Sequence, residues 1–208
     1  IYAVIKSSAI NQDGTSLGIT APNSAAQEAV IVEAWQDAGI DPLTVSYIEA
    51  HGTGTNLGDP VEIAGIENAF KRYTNQKQFC GIGSVKSNVG HLDCAAGLAG
   101  VVKSVCMLNN RQIPPTVHFE VPNRKIPFIN SPVYVNDTLR TWETGEYPLR
   151  CGVSSFGLSG TNVHVVMEEA PKIQRTVEDD KYELITVSAK DKATLVKYIE
   201  AYEEYLAS

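Results

Sequence analysis

Apolar residues recur along this 208-residue chain with more than one period, and the switches between periods predict its elements. The run Ile1-Tyr2-Ala3-Val4-Ile5 opens a strand over 1–9, and a polar, glycine-containing loop follows over 11–23. From 24 to 38, Ala26, Val30, Ala34 and Ala38 fall on one helical stripe with Ile31 and Trp35 beside it. Gly39 supplies the stop. Asp41-Pro42 predicts a turn, and 45–50 a short strand that delivers His51 to its C-terminal end. A second helix starts at Asp59 as cap, with Pro60 at the first helical position and Glu62 completing a variant capping box, and runs to about Tyr73. Residues 79–86 predict a strand and 93–109 a helix rich in Ala, Gly and Val, small residues that predict close packing and deep burial.

Pro114, Pro115, Pro122, Pro127 and Pro132 turn 113–132 into an irregular surface excursion. A short strand follows over 133–136. Residues 151–156 and 162–168 then predict a hairpin around a Gly-Leu-Ser-Gly turn. The segment 171–181 is charged and linker-like. Beyond it, 184–187 predict a strand and 188–191 a helix start. Leu195, Ile199, Tyr202 and Leu206 mark an amphipathic helix whose apolar stripe needs a partner. The organisation expected is therefore a main domain over 1–171 and a separate strand-plus-helix element over 172–208.

Composition narrows the function. With 43% hydrophobic and 20% charged residues, the chain reads as a soluble globular protein able to bury a sizeable core. Its net charge of −7 disfavours nucleic acid or an anionic membrane as partner. No apolar stretch reaches the roughly 18 residues of a membrane span. An opening inside a strand, without Met or a leader, predicts a piece of a longer chain. Cys80, Cys94, Cys106 and Cys151 are scattered and read as reduced, buried thiols of a cytoplasmic protein. The four His and four Cys show no paired spacing of the zinc type, so no metal site is expected.

Two glycine-flanked turns carry the candidate chemistry. One is Glu49-Ala50-His51-Gly52-Thr53-Gly54-Thr55, and the other is Val85-Lys86-Ser87-Asn88-Val89-Gly90-His91. Each places a histidine at a strand end, where α/β proteins assemble sites. Glycines let a ligand approach the backbone, and threonine hydroxyls can hold a polar thread such as an amide arm. Gly52 to Gly58 also forms a loose dinucleotide-type glycine pattern, but it has one residue too many and no acidic strand end follows. Cys94, three residues after His91, is the only interesting candidate for a reactive thiol and reads better as a small buried residue. His118 and His164 read as structural or surface residues.

These segments, with Ser155-Phe156-Gly157, resemble the HGTGT and KxxxGH motifs and final hairpin of β-ketoacyl synthases. Ser8-Ala9-Ile10-Asn11-Gln12-Asp13-Gly14 and Gly157-Leu158-Ser159-Gly160-Thr161-Asn162 favour the ketosynthase domains of modular polyketide synthases over fatty-acid enzymes. The resemblance covers residues 1 to about 171. It implies an α/β fold, the C-terminal half of a thiolase-like architecture with a mixed sheet between helices. It also implies decarboxylative Claisen condensation of an enzyme-bound acyl chain with a malonyl unit. That unit is carried on the phosphopantetheine of an acyl carrier protein, and no cofactor is bound directly. By resemblance, His51 and His91 hydrogen-bond the malonyl thioester carbonyl and stabilise the enolate, either of them can also act in proton transfer, and Lys86 sits behind His91 as its ionic partner. Thr53 and Thr55 contact the pantetheine arm. Phe156 gates the acyl pocket or is a plain core aromatic.

The family's nucleophilic cysteine lies in the N-terminal half of the domain, and no segment here matches its motif. The expected partners are therefore that missing half, the carrier protein, and a second copy in a homodimer when complete. The chain alone is expected to be inactive and to expose a large apolar face. Two other readings stand beside this one: a non-catalytic ketosynthase-like module that holds acyl chains or docks neighbours, and a nucleotide-binding domain.

Overall fold

The computed structural model describes residues 1–15, 18, 21–171 and 184–207, which divide into a first unit, 1–171, and a second, 172–208. The strands are β1 (Ala3–Gln12), β2 (Val45–Glu49), β3 (Cys80–Gly83), β4 (Gln112–Ile113), β5 (Val133–Val135), β6 (Arg140–Thr141), β7 (Arg150–Phe156) and β8 (Thr161–Glu169). Six of them form one mixed sheet in the order β1-β8-β7-β2-β3-β5, while β4 and β6 pair as a small ribbon. The β1–β8 and β7–β8 pairs are antiparallel, and β7–β2, β2–β3 and β3–β5 are parallel. Strand β2 therefore lies in the parallel part, covered on both faces, as such strands require.

The helices are α1 (Ser24–Ala38), α2 (Gly58–Lys71), α3 (Lys86–Val89), α4 (Ala96–Asn110) and α5 (Lys192–Ala207). Alternation along the strands splits the core in two. On one face Val30, Ile31, Trp35, Ile63, Ile66 and Phe70 of α1 and α2 pack with Ile48 and Val166. On the other, Met107 and Leu108 of α4 pack with Tyr47, Trp142, Cys151, Val153 and Met167. Helix α1 has the bounds its stripe predicts, because both ends are fixed locally. Asn23 accepts from the N–H groups of Ala25 and Ala26, and Gly39 turns left-handed at φ 61°.

Several expectations are corrected. Helix α2 begins at Gly58 with no side-chain cap, because Asp59 and Glu62 bond the loop ahead of it instead of closing a capping box. Strand β3 stops at Gly83, since the chain coils into α3 two residues later. The helix expected over 93–109 starts with a 3-10 turn, Asp93–Ala95, before α4. Nor is α4 deeply buried. Ala96, Gly100, Ser104, Met107 and Leu108 face the sheet, while Leu98 is 69% exposed and Val102 61%. Two of the four free thiols, Cys94 and Cys106, are exposed rather than buried. The irregular 113–132 segment contributes the buried Ile113, Ile126 and Ser131.

In the second unit, residues 184–187 form no strand, for an apolar run cannot hold strand geometry without a ladder partner. Helix α5 does form. Asp191 caps it by accepting the Thr194 N–H at 2.9 Å, and no residue of α5 is buried. The linker expected over 171–181 lies, Pro171 apart, outside the described residues. Among the described residues no helix is long and apolar enough to cross a membrane.

Candidate active site

Strand β2 ends at Glu49, and the chain then turns sharply through His51 and Gly52. Gly52 has φ 46°, and a Cβ there would lie 2.8 Å from the Cβ of Ser84, so this turn has room only for glycine. Glu62, buried in the first turns of α2, clasps the turn from behind. Its Oε1 accepts the His51 N–H at 2.7 Å and its Oε2 the Gly52 N–H at 2.9 Å. Lys86 Nζ donates to the carbonyl oxygen of His51. The His51 backbone is thus held at its N–H by a carboxylate and at its C=O by an ammonium group.

The two histidine rings meet edge to face, with centroids 5.5 Å apart, and the Phe156 ring lies 5.6 Å from His51. Each ring is oriented by a backbone donor. His51 Nδ1 accepts the Phe156 N–H at 3.4 Å, and His91 Nδ1 accepts the Asp93 N–H at 3.0 Å. In a neutral imidazole an accepting Nδ1 puts the proton on Nε2, so the site holds two Nε2–H donors. Burial, then the Lys86 charge, then His91 lower the pKa of His51 from 6.5 to about 4, which keeps its ring neutral at physiological pH. Burial raises Glu62 from 4.5 to about 7 against the opposing pull of its two N–H donors. It also lowers Lys86, opposed by Glu62 and Glu49.

His51, Thr53, Thr55, His91, Cys94 and Phe156 border one open cleft of about 840 Å³. The hydroxyls of Thr53 and Thr55 lie 3.3 Å apart on its wall. Five of the six residues singled out from sequence thus share a cleft, and the sixth, Lys86, stands behind the His51 turn. Its contact is with His51, not with His91 as expected. Cys94 opens onto the cleft instead of being buried. His164 is fully buried against Ser154 Oγ at 3.0 Å, its pKa lowered by burial to about 3, and His118 is exposed. The nucleotide reading fails on hydrogen bonding. The N–H groups of His51, Gly52 and Gly54 that would cradle a phosphate are already taken by Glu62 and Asp59.

Sequence reasoning missed a buried charge cluster. Glu49 accepts from Tyr47 Oη at 2.8 Å, from Lys103 Nζ at 2.7 Å and from the Val85 N–H. The available signal was Glu49 itself, a carboxylate at the end of a buried central strand, which demands a partner. Among the described residues no group of three or more His, Cys, Asp or Glu side chains is arranged to hold a metal ion.

The model of the β-ketoacyl synthase C-terminal domain matches residues 2–120, and that of the ketoacyl-synthetase C-terminal extension matches 122–208. Polyketide synthase PksL of Bacillus subtilis is 44% identical over 212 residues, covering all of this chain and 5% of that protein. Erythronolide synthase EryA3 of Saccharopolyspora erythraea is 48% identical over 172 residues, covering 83% of this chain and 5% of its own length. The ketosynthase from module 6 of the Bacillus subtilis bacillaene synthase superposes with a TM-score of 0.80 at 44% identity. It covers the whole chain, which spans 36% of that structure. The chain therefore spans a small part of the curated relatives and about a third of a ketosynthase. The expected α/β, thiolase-like fold is the one these structures share. Fold, site geometry and a family model covering more than half the residues agree: this chain belongs to the β-ketoacyl synthase family, as the C-terminal part of a polyketide-synthase ketosynthase domain.

Proposed function

We propose that this chain supplies the decarboxylating and enolate-stabilising half of a ketosynthase that condenses an enzyme-bound acyl chain with a malonyl unit on phosphopantetheine of an acyl carrier protein. One observation carries the reading: His51 and His91 each spend Nδ1 on a backbone N–H, leaving two Nε2–H donors beside one cleft. When the malonyl carboxylate departs as carbon dioxide, the electron pair of the broken C–C bond moves onto the thioester oxygen. Fixed donors hold that charge better than they hold the parent carbonyl. The enolate carbon then attacks the acyl thioester, a C–C bond forms and the enzyme thiol leaves. Burial, and then Lys86, which holds the His51 carbonyl, lower the pKa of that ring, so that His51 donates a hydrogen bond and not a proton. Thr53 and Thr55 line the path of the pantetheine arm, and Phe156 closes against His51 at the acyl side.

In this reading 1–171 is the C-terminal half of the ketosynthase and 172–208 the linker element that follows it. The acyl-accepting thiol comes from outside residues 1–208, so the chain alone is inactive. The complete domain works in the cytoplasm, as a homodimer. The exposed outer stripe of α4 supports a covering partner, the N-terminal half of the domain. The test is decarboxylation of malonyl-carrier protein by the complete ketosynthase and its His51→Ala and His91→Ala variants. Each variant is expected to lose on the order of 100-fold in rate or more, while self-acylation from an acyl thioester is retained. Unchanged decarboxylation in both variants would overturn the assignment.

A further inference from the structure

A buried carboxylate joins the two histidine-bearing segments without touching the cleft. Glu49 is 1% exposed and lies two residues before His51. Its Oε1 accepts the N–H of Val85, the residue before Lys86 and α3. Its Oε2 accepts from Lys103 Nζ at 2.7 Å and from Tyr47 Oη at 2.8 Å. Lys103 Nζ closes the triangle by donating to Tyr47 Oη at 2.9 Å. Lys103 belongs to α4, which the chain enters from His91 through the Asp93–Ala95 turn.

Two glycines make the approach possible. A Cβ on Gly100, one turn before Lys103 in α4, would stand 3.1 Å from Glu49 Cγ, so the helix rests directly on this side chain. A Cβ on Gly83 would stand 2.7 Å from Tyr47 Oη. Helix α4 is therefore located against β2 by close contact at Gly100 and by an ion pair at Lys103, both on Glu49.

We propose that Glu49, Lys103 and Tyr47 form a positioning node that sets the separation of His51 and His91, by fixing β2, the turn before Lys86 and the start of α4 to one carboxylate. The inference rests on the ketosynthase reading of the histidine pair. A buried ion pair is a weak source of stability, because desolvation of both charges offsets their attraction. What it supplies is direction. The lone pairs of one carboxylate orient three donors from three segments, which an apolar contact of equal volume does not do. His51 and His91 share no direct hydrogen bond in the structure, so their spacing has to be set from behind, and Glu49 is the side chain that reaches both supporting segments.

The experiment uses the complete ketosynthase with Glu49→Gln, Lys103→Met and Tyr47→Phe, and three readouts. These are kcat and KM for decarboxylation of malonyl-carrier protein, the rate of self-acylation, and hydrogen exchange of peptides covering 84–91 and 24–38. Glu49→Gln and Lys103→Met are expected to lower kcat by roughly 100-fold, the cost of misplacing a donor by about 1 Å, with KM and self-acylation unchanged. Tyr47→Phe, which removes one hydroxyl and folds regardless of the charged pair, is expected to lower kcat several-fold. Exchange over 84–91 should quicken in all three while 24–38 stays as in the parent. Unchanged kcat in variants of an active parent overturns the node, as does unchanged exchange over 84–91. A parent that fails to decarboxylate sinks the ketosynthase reading instead, and the exchange arm still decides whether Glu49 ties these segments together.

Discussion

Glu62→Gln separates the stability of the site from its function, and the sign of its effect follows from the geometry. The parent carboxyl is buried, and its pKa is raised from 4.5 to about 7 chiefly by that burial. The unfolded chain loses this proton near pH 4.5 and the folded one near pH 7, so between these values the folded state binds more protons. The contribution of Glu62 to stability is therefore full below pH 4.5 and is lost as pH rises through 7. The loss totals about 3 kcal/mol, at ~1.4 kcal/mol per pH unit. Glutamine has the shape of the protonated acid and does not titrate. At pH 5 the variant should match the parent in urea denaturation of the complete ketosynthase. At pH 8.5 it should be more stable, by up to about 3 kcal/mol.

Activity moves the other way. The carboxylate offers one oxygen to His51 N–H and the other to Gly52 N–H, whereas glutamine turns an NH₂ toward one of them. Losing one such bond is worth about 1 kcal/mol, so decarboxylation at pH 8.5 should fall by several-fold to about tenfold. A variant less stable than the parent at pH 8.5 would refute the reasoning. It would mean that the two N–H donors outweigh burial and that the carboxylate is at ease where it sits.

His164 gives the opposite pH sign. Its pKa falls from 6.5 to about 3 by burial, so its share of stability is full above pH 6.5 and is lost as pH falls toward 3. Thermal denaturation of His164→Gln between pH 4.5 and 7.5 should therefore show a flatter profile than the parent, and parallel profiles would count against the buried neutral imidazole. In the 208-residue chain a maleimide should label Cys94 and Cys106 under native conditions, and Cys80 and Cys151 only after unfolding. In the complete ketosynthase Cys94 and Cys106 should become protected, because Leu98, Val102 and Cys106 recur every fourth residue along one outer stripe of α4, and Cys94 stands four residues before Leu98 in the turn that leads into it. Labelling of both at the free-chain rate would show that nothing covers that stripe.

Where the controlling contacts are local, sequence alone reached the structure. Helix α1 has the bounds that its apolar stripe and Gly39 predict, and the β7–β8 hairpin follows its glycine turn. Asp59 and Glu62 show where local grammar fails. Both are residues that cap helices, yet burial of the His51 turn recruits them to its N–H groups, a tertiary demand invisible at that spacing. The small residues of α4 announce close packing without saying on which side. Gly100 and Ser104 face the sheet, while Leu98 and Val102 point away from it. The histidines and threonines of the cleft stand in two short motifs and were found. Glu49 and Lys103, 54 residues apart, were not, since only the fold brings β2 and α4 together.

On the proposed reading, the charges behind the cleft explain how two histidines can serve an enolate at neutral pH. A carboxylate near a developing negative charge is costly, and an unpaired buried one more so. Glu62 and Lys86 hold the same His51 backbone from its two ends, and Glu49 and Lys103 form an ion pair one layer deeper. Each carboxylate spends both oxygens on protein donors, and each ammonium group stands beside a carboxylate or a carbonyl. Once Glu62 has lost its proton, above about pH 7, the four charges sum to near zero and the field they cast on the cleft is small. His51, kept neutral by burial and by Lys86, then remains a neutral hydrogen-bond donor between pH 6 and 8. Removing either ammonium group leaves a buried anion within reach of the site. On this argument Lys86→Ala and Lys103→Met should slow decarboxylation more than the loss of their individual hydrogen bonds would.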